Sequence, residues 1–357
     1  MVDKFNVVWL VLTYNCNNKC TWCYSSSNKQ NLRESLSQTK IKPIVTFLKS
    51  LEIKRTILIG GEPSIYPHLN YLLDEQQKQK IPTGMVTNGR KFSDKLFTQN
   101  IKEKGLKNIT VSIEGYNSLT HDSVTQVPGS YLQAIKGIRN ASKSGIVVNV
   151  NTVITKNNFR NLEKIVDSFV DEPINEISFN ICGPCLSNKK NNIFLLNPYQ
   201  ATKAFEKIYP YIISKGKKAR LVTPTPLCFF EKDFREKQKA KKNISGGPCQ
   251  LAHGKNFVIE PCGKIIPCTH FVGFTLLDLF EEDKIITKDN FLEKYNNQNN
   301  TPSKLRQKMR RNASIKCDEP NCYEPCSGGC PLMWYAFDPA KEIKGLHSIK
   351  QHAKSNI

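Results

Sequence analysis

The stretch VVWLVLTYNCNNKCTWCYSSSN, residues 7–28, decides how the chain is read. Its first half is a β-branched apolar run that gives way to polar residues, the signature of a buried parallel strand. Its second half packs Cys16, Cys20 and Cys23 into eight positions directly after that strand. In α/β folds the loops at the carboxyl ends of the strands are where catalytic residues collect. Three thiols are one short of a closed tetrahedral site and an odd number for disulfides. The spacing leaves two readings. One is a closed zinc site completed by a distant cysteine or histidine. The other is an iron–sulfur cluster with one iron that no protein side chain ligates.

The whole chain of 357 residues is 39% hydrophobic and 23% charged, the composition of a globular protein with room for one large domain and an appendage. No apolar run is long enough to span a bilayer, and MVDKFNVVWLVLTYN is too short and too polar-flanked for a signal peptide. Together these imply a cytoplasmic protein with no membrane partner. Thirteen cysteines in a reducing compartment point to metal or iron–sulfur ligation rather than disulfides. The formal charge of +21 could mark a surface for an acidic partner, but a Lys- and Asn-rich composition is the favoured reading, because the charge is spread over every helix. Its densest runs, KKARL, EKQKAKKN and KMRRN, carry no interleaved aromatics, which argues against nucleic acid.

Outward from the first strand, five more strand patterns alternate with helical ones: RTILIGG, TGMVTNG, NITVSIEG, IVVNVNTVIT and EISFNI. Six βα units in succession predict an α/β fold, a partial (β/α)6 TIM-type barrel over residues 1–216. From 217 to 357 strands become scarce and cysteines return, predicting a small cysteine-rich domain. Within it NFVIEPCGKIIPCTHF reads as a hairpin turning at Cys262-Gly263. The polar segment 285–314 reads as helix or loop.

The CxxxCxxC arrangement of Cys16, Cys20 and Cys23, with Trp22 before the last thiol, resembles the radical S-adenosylmethionine (SAM) superfamily. GGEP at Gly60–Pro63, TNG at Thr87–Gly89 and SIEG at Ser112–Gly115 fall at the ends of the second, third and fourth strands, as that family's motifs do. The resemblance implies a [4Fe–4S] cluster on the three cysteines, its open iron chelated by the amine and carboxylate of SAM. Reductive cleavage would then give a 5′-deoxyadenosyl radical that abstracts hydrogen from substrate. By position, Gly60, Gly61, Glu62 and Pro63 would hold the SAM amine, with Thr87 and Asn88 beside them. Ser112 and Glu114 would meet the ribose or carboxylate, with Asn151 on the fifth strand and Trp22 near the adenine; for these last two, ordinary barrel packing is the alternative. Related enzymes carry HD-x-x-R after the fourth strand. Here His121-Asp122 is followed by Thr125 in the Arg position.

The later cysteines resemble the SPASM domain, which carries auxiliary [4Fe–4S] clusters. That resemblance implies one or two such clusters, drawn from Cys249, Cys262, Cys268, Cys317, Cys322, Cys326 and Cys330. The inner cluster would use Cys249, Cys268 and Cys330, with Cys262 or Cys228 as a fourth ligand. The outer run reads C-x4-C-x3-C-x3-C, with Pro320 where the family places a cysteine, so the outer group is expected to have an open site, a borrowed ligand or a structural zinc instead. Cys182 and Cys185, at the end of the sixth strand, and Cys228 are candidate thiol donors or ligands, or simply small buried side chains.

The resemblance implies an enzyme that modifies a ribosomally made precursor peptide, by crosslink or epimerisation. Oxidation of a protein side chain or small alcohol, in the manner of sulfatase maturases, is the alternative. A non-enzymatic iron–sulfur carrier is disfavoured because GGEP and SIEG would have no task in it. The enzyme would need an external flavodoxin- or ferredoxin-type electron donor. With strand one so near the start, an amino-terminal leader-binding domain is expected to be absent, leaving the leader to a separate binding protein or to the barrel mouth.

Overall fold

The computed structural model describes residues 2, 4–25, 35–184, 189–247, 249, 253–272, 274–311, 326, 328–338 and 342. Among them, all six expected strands form at the expected places. They are β1 (Val7–Val11), β2 (Arg55–Ile59), β3 (Thr83–Thr87), β4 (Asn108–Ser112), β5 (Val147–Ile154) and β6 (Glu176–Ile181), paired in sequence order and all parallel. Between them run α1 (Gln38–Ser50), α2 (Leu69–Lys78), α3 (Lys95–Glu103), α4 (Ser118–Thr125), α5 (Ser130–Lys143) and α6 (Leu162–Asp167), and α7 (Pro198–Ser214) follows β6. Leu69, Leu72 and Leu73 in α2, and Ala134, Ile138 and Ala141 in α5, recur at helical spacing and are buried against the sheet.

The starts of these helices are written in short polar residues. Asp94 accepts from the amides of Leu96 and Phe97, Asn117 forms a capping box with Thr120, and Asn197 caps α7 ahead of Pro198.

The registers sort side chains into two faces. Val8, Leu10, Leu58, Ile109, Val111, Val148, Val150, Ile177 and Phe179 are buried on the helix-covered face. The opposite face changes character across the sheet. It carries Trp9, Val11, Ile57 and Ile59 on β1 and β2, then Thr110, Ser112, Asn151, Ser178 and Asn180 on β4 to β6. Every catalytic motif of the sequence leaves a strand at its carboxyl end, toward the mouth of this second face.

A seventh parallel strand, β7 (Lys218–Leu221), adds to β6, two residues beyond the expected boundary at 216. Its charged alternation, KARL, hid it in sequence. Helix α8 (Lys232–Ala240) follows. The hairpin forms as expected, from β8 (Asn256–Ile259) and β9 (Lys264–Ile266), with Gly263 at φ 98° in its turn. Strand β8 then pairs in parallel with β1, and β10 (Leu277–Asp278) pairs with β9, so ten strands form one sheet that runs from β10 to β7. The polar segment after residue 285 carries two helices, α9 (Lys288–Asn296) and α10 (Thr301–Arg311), joined by a short loop. Among the described residues no helix is long and apolar enough to cross a membrane.

Phe291 of α9 holds this later half to the first strand. It is fully buried among Phe5, Phe47, Phe257 and Tyr295, with ring centroids 5.1–5.7 Å away. Phe291→Ala removes that centre and should destabilise the chain by about 3–5 kcal/mol in urea unfolding.

Candidate active site

The cysteine loop has few strand or helix bonds of its own, so other elements must hold it. The first brace is main chain on main chain. The amides of Gly61 and Glu62 donate to the carbonyls of Thr13 and Asn15, at 2.7 and 2.9 Å. A side chain could not fit: a Cβ on Gly61 would lie 2.2 Å from the Asn15 oxygen, and one on Gly60, where φ is 149°, would lie 2.3 Å from the Thr13 oxygen. The double glycine of GGEP is therefore the condition for β2 to press against the residues leading into Cys16.

The second brace comes from TNG and the residue after it. Asn88 Nδ2 donates to Asn17 Oδ1 at 2.7 Å, and Arg90 Nη1 donates to the Asn17 carbonyl and to Asn18 Oδ1 at 2.5 and 2.9 Å. The third comes from α4. The carbonyls of Thr125 and Val124 accept from the amides of Lys19 and Thr21 at 2.8 and 3.0 Å. Thr125, which stands in the Arg position of HD-x-x-R, thus braces the loop through its main chain. Cys16 Sγ accepts from the Asn18 amide at 3.3 Å, and Cys23 Sγ lies 3.2 Å from Ser25 Oγ.

Glu62 joins the first two braces. It is buried and caps the short turn at Pro63–Ile65; its carboxylate accepts from the Ser64 amide, the Thr87 hydroxyl (2.6 Å) and the Asn88 amide (2.7 Å). Burial raises its pKa against the pull of those bonds. In this arrangement the Glu62 side chain ties β2 to β3.

Glu114 is the contrasting carboxyl. It is buried at the end of β4, and one oxygen accepts from the Val153 amide at 3.0 Å. The other, equally buried, has no partner, and burial pushes the group up to about 8. The neighbouring His121 accepts from the Glu114 amide through Nδ1 at 3.1 Å, and burial holds it down to about 4, so it stays neutral. Asn151 accepts from Ser178 and Asn180 at 3.2 and 2.9 Å, which makes a polar wall on β5 and β6. Ser112 and Trp22 are half-buried beside this region, Trp22 in the turn before Cys23.

The later cysteines sort into separate environments. Cys249, Cys268 and Cys330 lie close enough for the charge of each to act on the others. Burial pushes Cys268 up to about 11 and Cys330 up to about 12, values from which only a bound cation would draw thiolates at neutral pH. Cys228 is buried instead among Phe229, Tyr199 and Trp334. Cys262 sits at the hairpin turn, its carbonyl accepting from Lys40 at 2.9 Å. Cys326 Sγ accepts from the Gly328 amide at 3.4 Å. Cys182 is buried at the end of β6. Cys185, Cys317 and Cys322 lie outside the described residues.

Among the described residues no three His, Cys, Asp or Glu side chains converge on a point that could hold one metal ion. The donor set is soft, three thiols on a loop braced from three sides, and one buried carboxyl oxygen of Glu114, just past the end of β4, has no partner. These residues fit a thiolate-bound iron–sulfur cluster with a polar ligand lying across to β4.

Residues 10–169 match the sequence model of the Radical SAM superfamily. Over that stretch, from the end of β1 to just past α6, the chain is similar to a superfamily whose members use a [4Fe–4S] cluster and SAM. Its relatives include the Fe-coproporphyrin III synthase of Methanosarcina barkeri, 29% identical over half of this chain and 44% of that protein. They also include the subtilosin biosynthesis protein AlbA of Bacillus subtilis, 25% identical over 96% of this chain and 68% of that protein. The chain thus spans less than half of the first relative's length and about two thirds of the second's. Among solved structures, SuiB of Streptococcus suis bound to its precursor peptide SuiA superposes with a TM-score of 0.70 at 17% identity, covering 95% of this chain and 75% of that one.

Sequence reading missed Arg90 and a second set of anchors around Tyr14. Tyr14 donates to Glu260 Oε1 at 2.6 Å, both groups buried, and so ties the cysteine loop to the hairpin. The signals were present, since Arg90 directly follows TNG and Glu260 directly follows β8.

Two outcomes follow from this geometry. Gly61→Ala displaces the loop; if Cys16, Cys20 and Cys23 take iron, their affinity for it should fall about tenfold or more in anaerobic titration. Glu114 stays protonated in the folded chain between its ordinary 4.5 and about 8, so its burial costs stability as pH rises through that window. Glu114→Gln has no proton to lose. Relative to wild type without ligand it should gain on the order of 1–3 kcal/mol between pH 5 and pH 8, read as urea midpoints.

Proposed function

We propose that the chain is a maturase that abstracts hydrogen from a ribosomally made precursor peptide and leaves it crosslinked or epimerised. The observation that carries this is the pairing of two sites. A braced three-cysteine loop stands at the barrel mouth, and a second set of partly buried thiols, Cys249, Cys268 and Cys330, lies about the hairpin attached to the same strand. A radical enzyme that only initiates chemistry has no use for the second set. One that ends with an oxidised, crosslinked product needs somewhere for the remaining electron, and one that epimerises must supply an electron and a proton to restore the thiol that gave up its hydrogen. The likeness to AlbA, which acts in biosynthesis of the bacteriocin subtilosin, and to SuiB, seen with a precursor peptide, supports the substrate class.

In this reading Cys16, Cys20 and Cys23 ligate the [4Fe–4S] cluster that binds SAM. When bound, cluster and SAM supply hydrogen-atom abstraction from an unactivated carbon. The protein's own part is placement. The carbonyls of Gly60 and Gly61 accept from the SAM amine, while Glu62, Pro63, Thr87 and Asn88 hold that turn in position. The unpartnered oxygen of Glu114 meets a ribose hydroxyl, Ser112 and Asn151 supply polar contacts, and Trp22 packs against the adenine. The apolar wall of Trp9, Ile57 and Ile59 keeps water from the reacting carbon.

Cys249, Cys268 and Cys330 hold an auxiliary [4Fe–4S] cluster, with Cys262 or Cys228 as further ligand. Cys317, Cys322 and Cys326 form an outer site. Cys182, at the end of β6, Cys185 and Cys228 are the thiols that would return a hydrogen atom for epimerisation. The division into a barrel of residues 1–216 and an auxiliary region of 217–357 belongs to this reading. So do a flavodoxin- or ferredoxin-type donor and a place for the leader on a separate protein or at the barrel mouth.

The test is anaerobic reconstitution with iron and sulfide, followed by dithionite and SAM. 5′-Deoxyadenosine should accumulate, and its absence above background would sink the reading. Replacing Cys16, Cys20 and Cys23 together with Ala should bring that product to background while iron remains at the auxiliary site. With a co-expressed precursor peptide, loss of two hydrogens marks a crosslink, and deuterium uptake from solvent without mass loss in ordinary water marks epimerisation.

A further inference from the structure

One residue outside both cysteine sets links the segments that carry them. Tyr24 follows Cys23 directly, so its backbone is part of the first loop. Its side chain lies across the residues that carry the second site. The ring packs on His270 with centroids 4.7 Å apart and planes 31° from parallel. The hydroxyl shares a hydrogen bond with the Thr269 side chain, and charge on Cys16, Cys23 or Cys268 acts on it. His270 in turn sets its Nδ1 3.8 Å from Cys268 Sγ. Behind the imidazole is Gly183, where an added Cβ would lie 3.2 Å from Nε2, so the ring is seated from both sides. Tyr24 therefore holds Thr269 and His270, the two residues that follow Cys268, while its own neighbour Cys23 belongs to the first set.

Each site alone must order its loop, and ordering costs conformational entropy. A cluster on Cys268 would fix Thr269 and His270, the surfaces that Tyr24 rests on. The loop of Cys16, Cys20 and Cys23 would then have less freedom left to lose. The same holds in reverse, because a coupling between two binding events is reciprocal. We propose that Tyr24 is a positioning residue that couples the two iron–sulfur sites, so that a cluster at either one slows loss of the cluster at the other. This rests on the reading that both cysteine sets hold clusters.

The experiment is a double-mutant cycle on the full, reconstituted chain. The readout is the rate at which a chelator strips iron from the Cys16, Cys20 and Cys23 site under anaerobic conditions. That site is followed by the change in its spectrum on adding SAM. Tyr24→Leu should speed the loss about tenfold. Replacing Cys249, Cys268 and Cys330 with Ala should speed it to a similar degree. The two changes combined should be no faster than either alone. Rates that multiply in the combined variant overturn the coupling. If Tyr24→Leu does not fold, as judged by circular dichroism, Tyr24→Phe takes its place; it keeps the ring stack and loses the Thr269 bond, and should show a smaller acceleration in the same cycle. A wild type that binds iron at one cysteine set only overturns the two-cluster reading itself, a result distinct from multiplying rates.

Discussion

The site depends on a contact between two pieces of main chain. The amides of Gly61 and Glu62 reach the carbonyls of Thr13 and Asn15 because no side chain stands between them. From that contact the rest follows in order. The loop leaves β1 in a fixed direction, Glu62 turns inward to gather the Thr87 hydroxyl and the Asn88 amide, and TNG is thereby drawn close enough for Asn88 and Arg90 to reach Asn17 and Asn18. Three motifs far apart in sequence brace one loop, and each does so with groups that hydrogen-bond rather than with apolar bulk.

Two buried carboxyls a few strands apart show how environment assigns roles. Glu62 and Glu114 both end parallel strands and both are buried. Glu62 is surrounded by donors and serves as a structural tie. Glu114 has one donor for two oxygens and retains a capacity to accept. A buried acceptor with no protein partner is costly in an empty site and useful in a filled one, the pattern expected where a ligand completes the structure.

The six parallel strands and the hairpin were legible in the sequence because each is a short β-branched run ended by a turn residue, and burial on both faces demands that pattern. Strand β7 was not, since KARL alternates charge with small apolar residues at the sheet's flank and looks like part of a basic run. The ligand motifs were equally legible, as spacing is a property of the chain. What spacing could not show was how the motifs hold one another. Glu62 reads from sequence as a group facing the cofactor, and only the fold reveals how many of its bonds are internal. The same is true of Tyr24, Arg90 and His270. Each sits within two residues of a recognised motif, and each acquires its contact from a segment that sequence gives no means of placing.

The pairing of β8 with β1 has a consequence for the order in which the protein is made. The strand that carries the cysteine loop leaves the ribosome well before one of its two neighbours, Asn256–Ile259, and the Val7 amide bonds to Asn256 across 249 residues. Until that distant segment has been synthesised, β1 is an edge strand with an unsatisfied ladder, and the loop after it lacks its tie from Tyr14 to Glu260. Contacts of such sequence separation form late and slowly. The cysteine loop is thus finished only after a segment translated much later, and its thiols take their final places when Glu260 arrives to hold Tyr14.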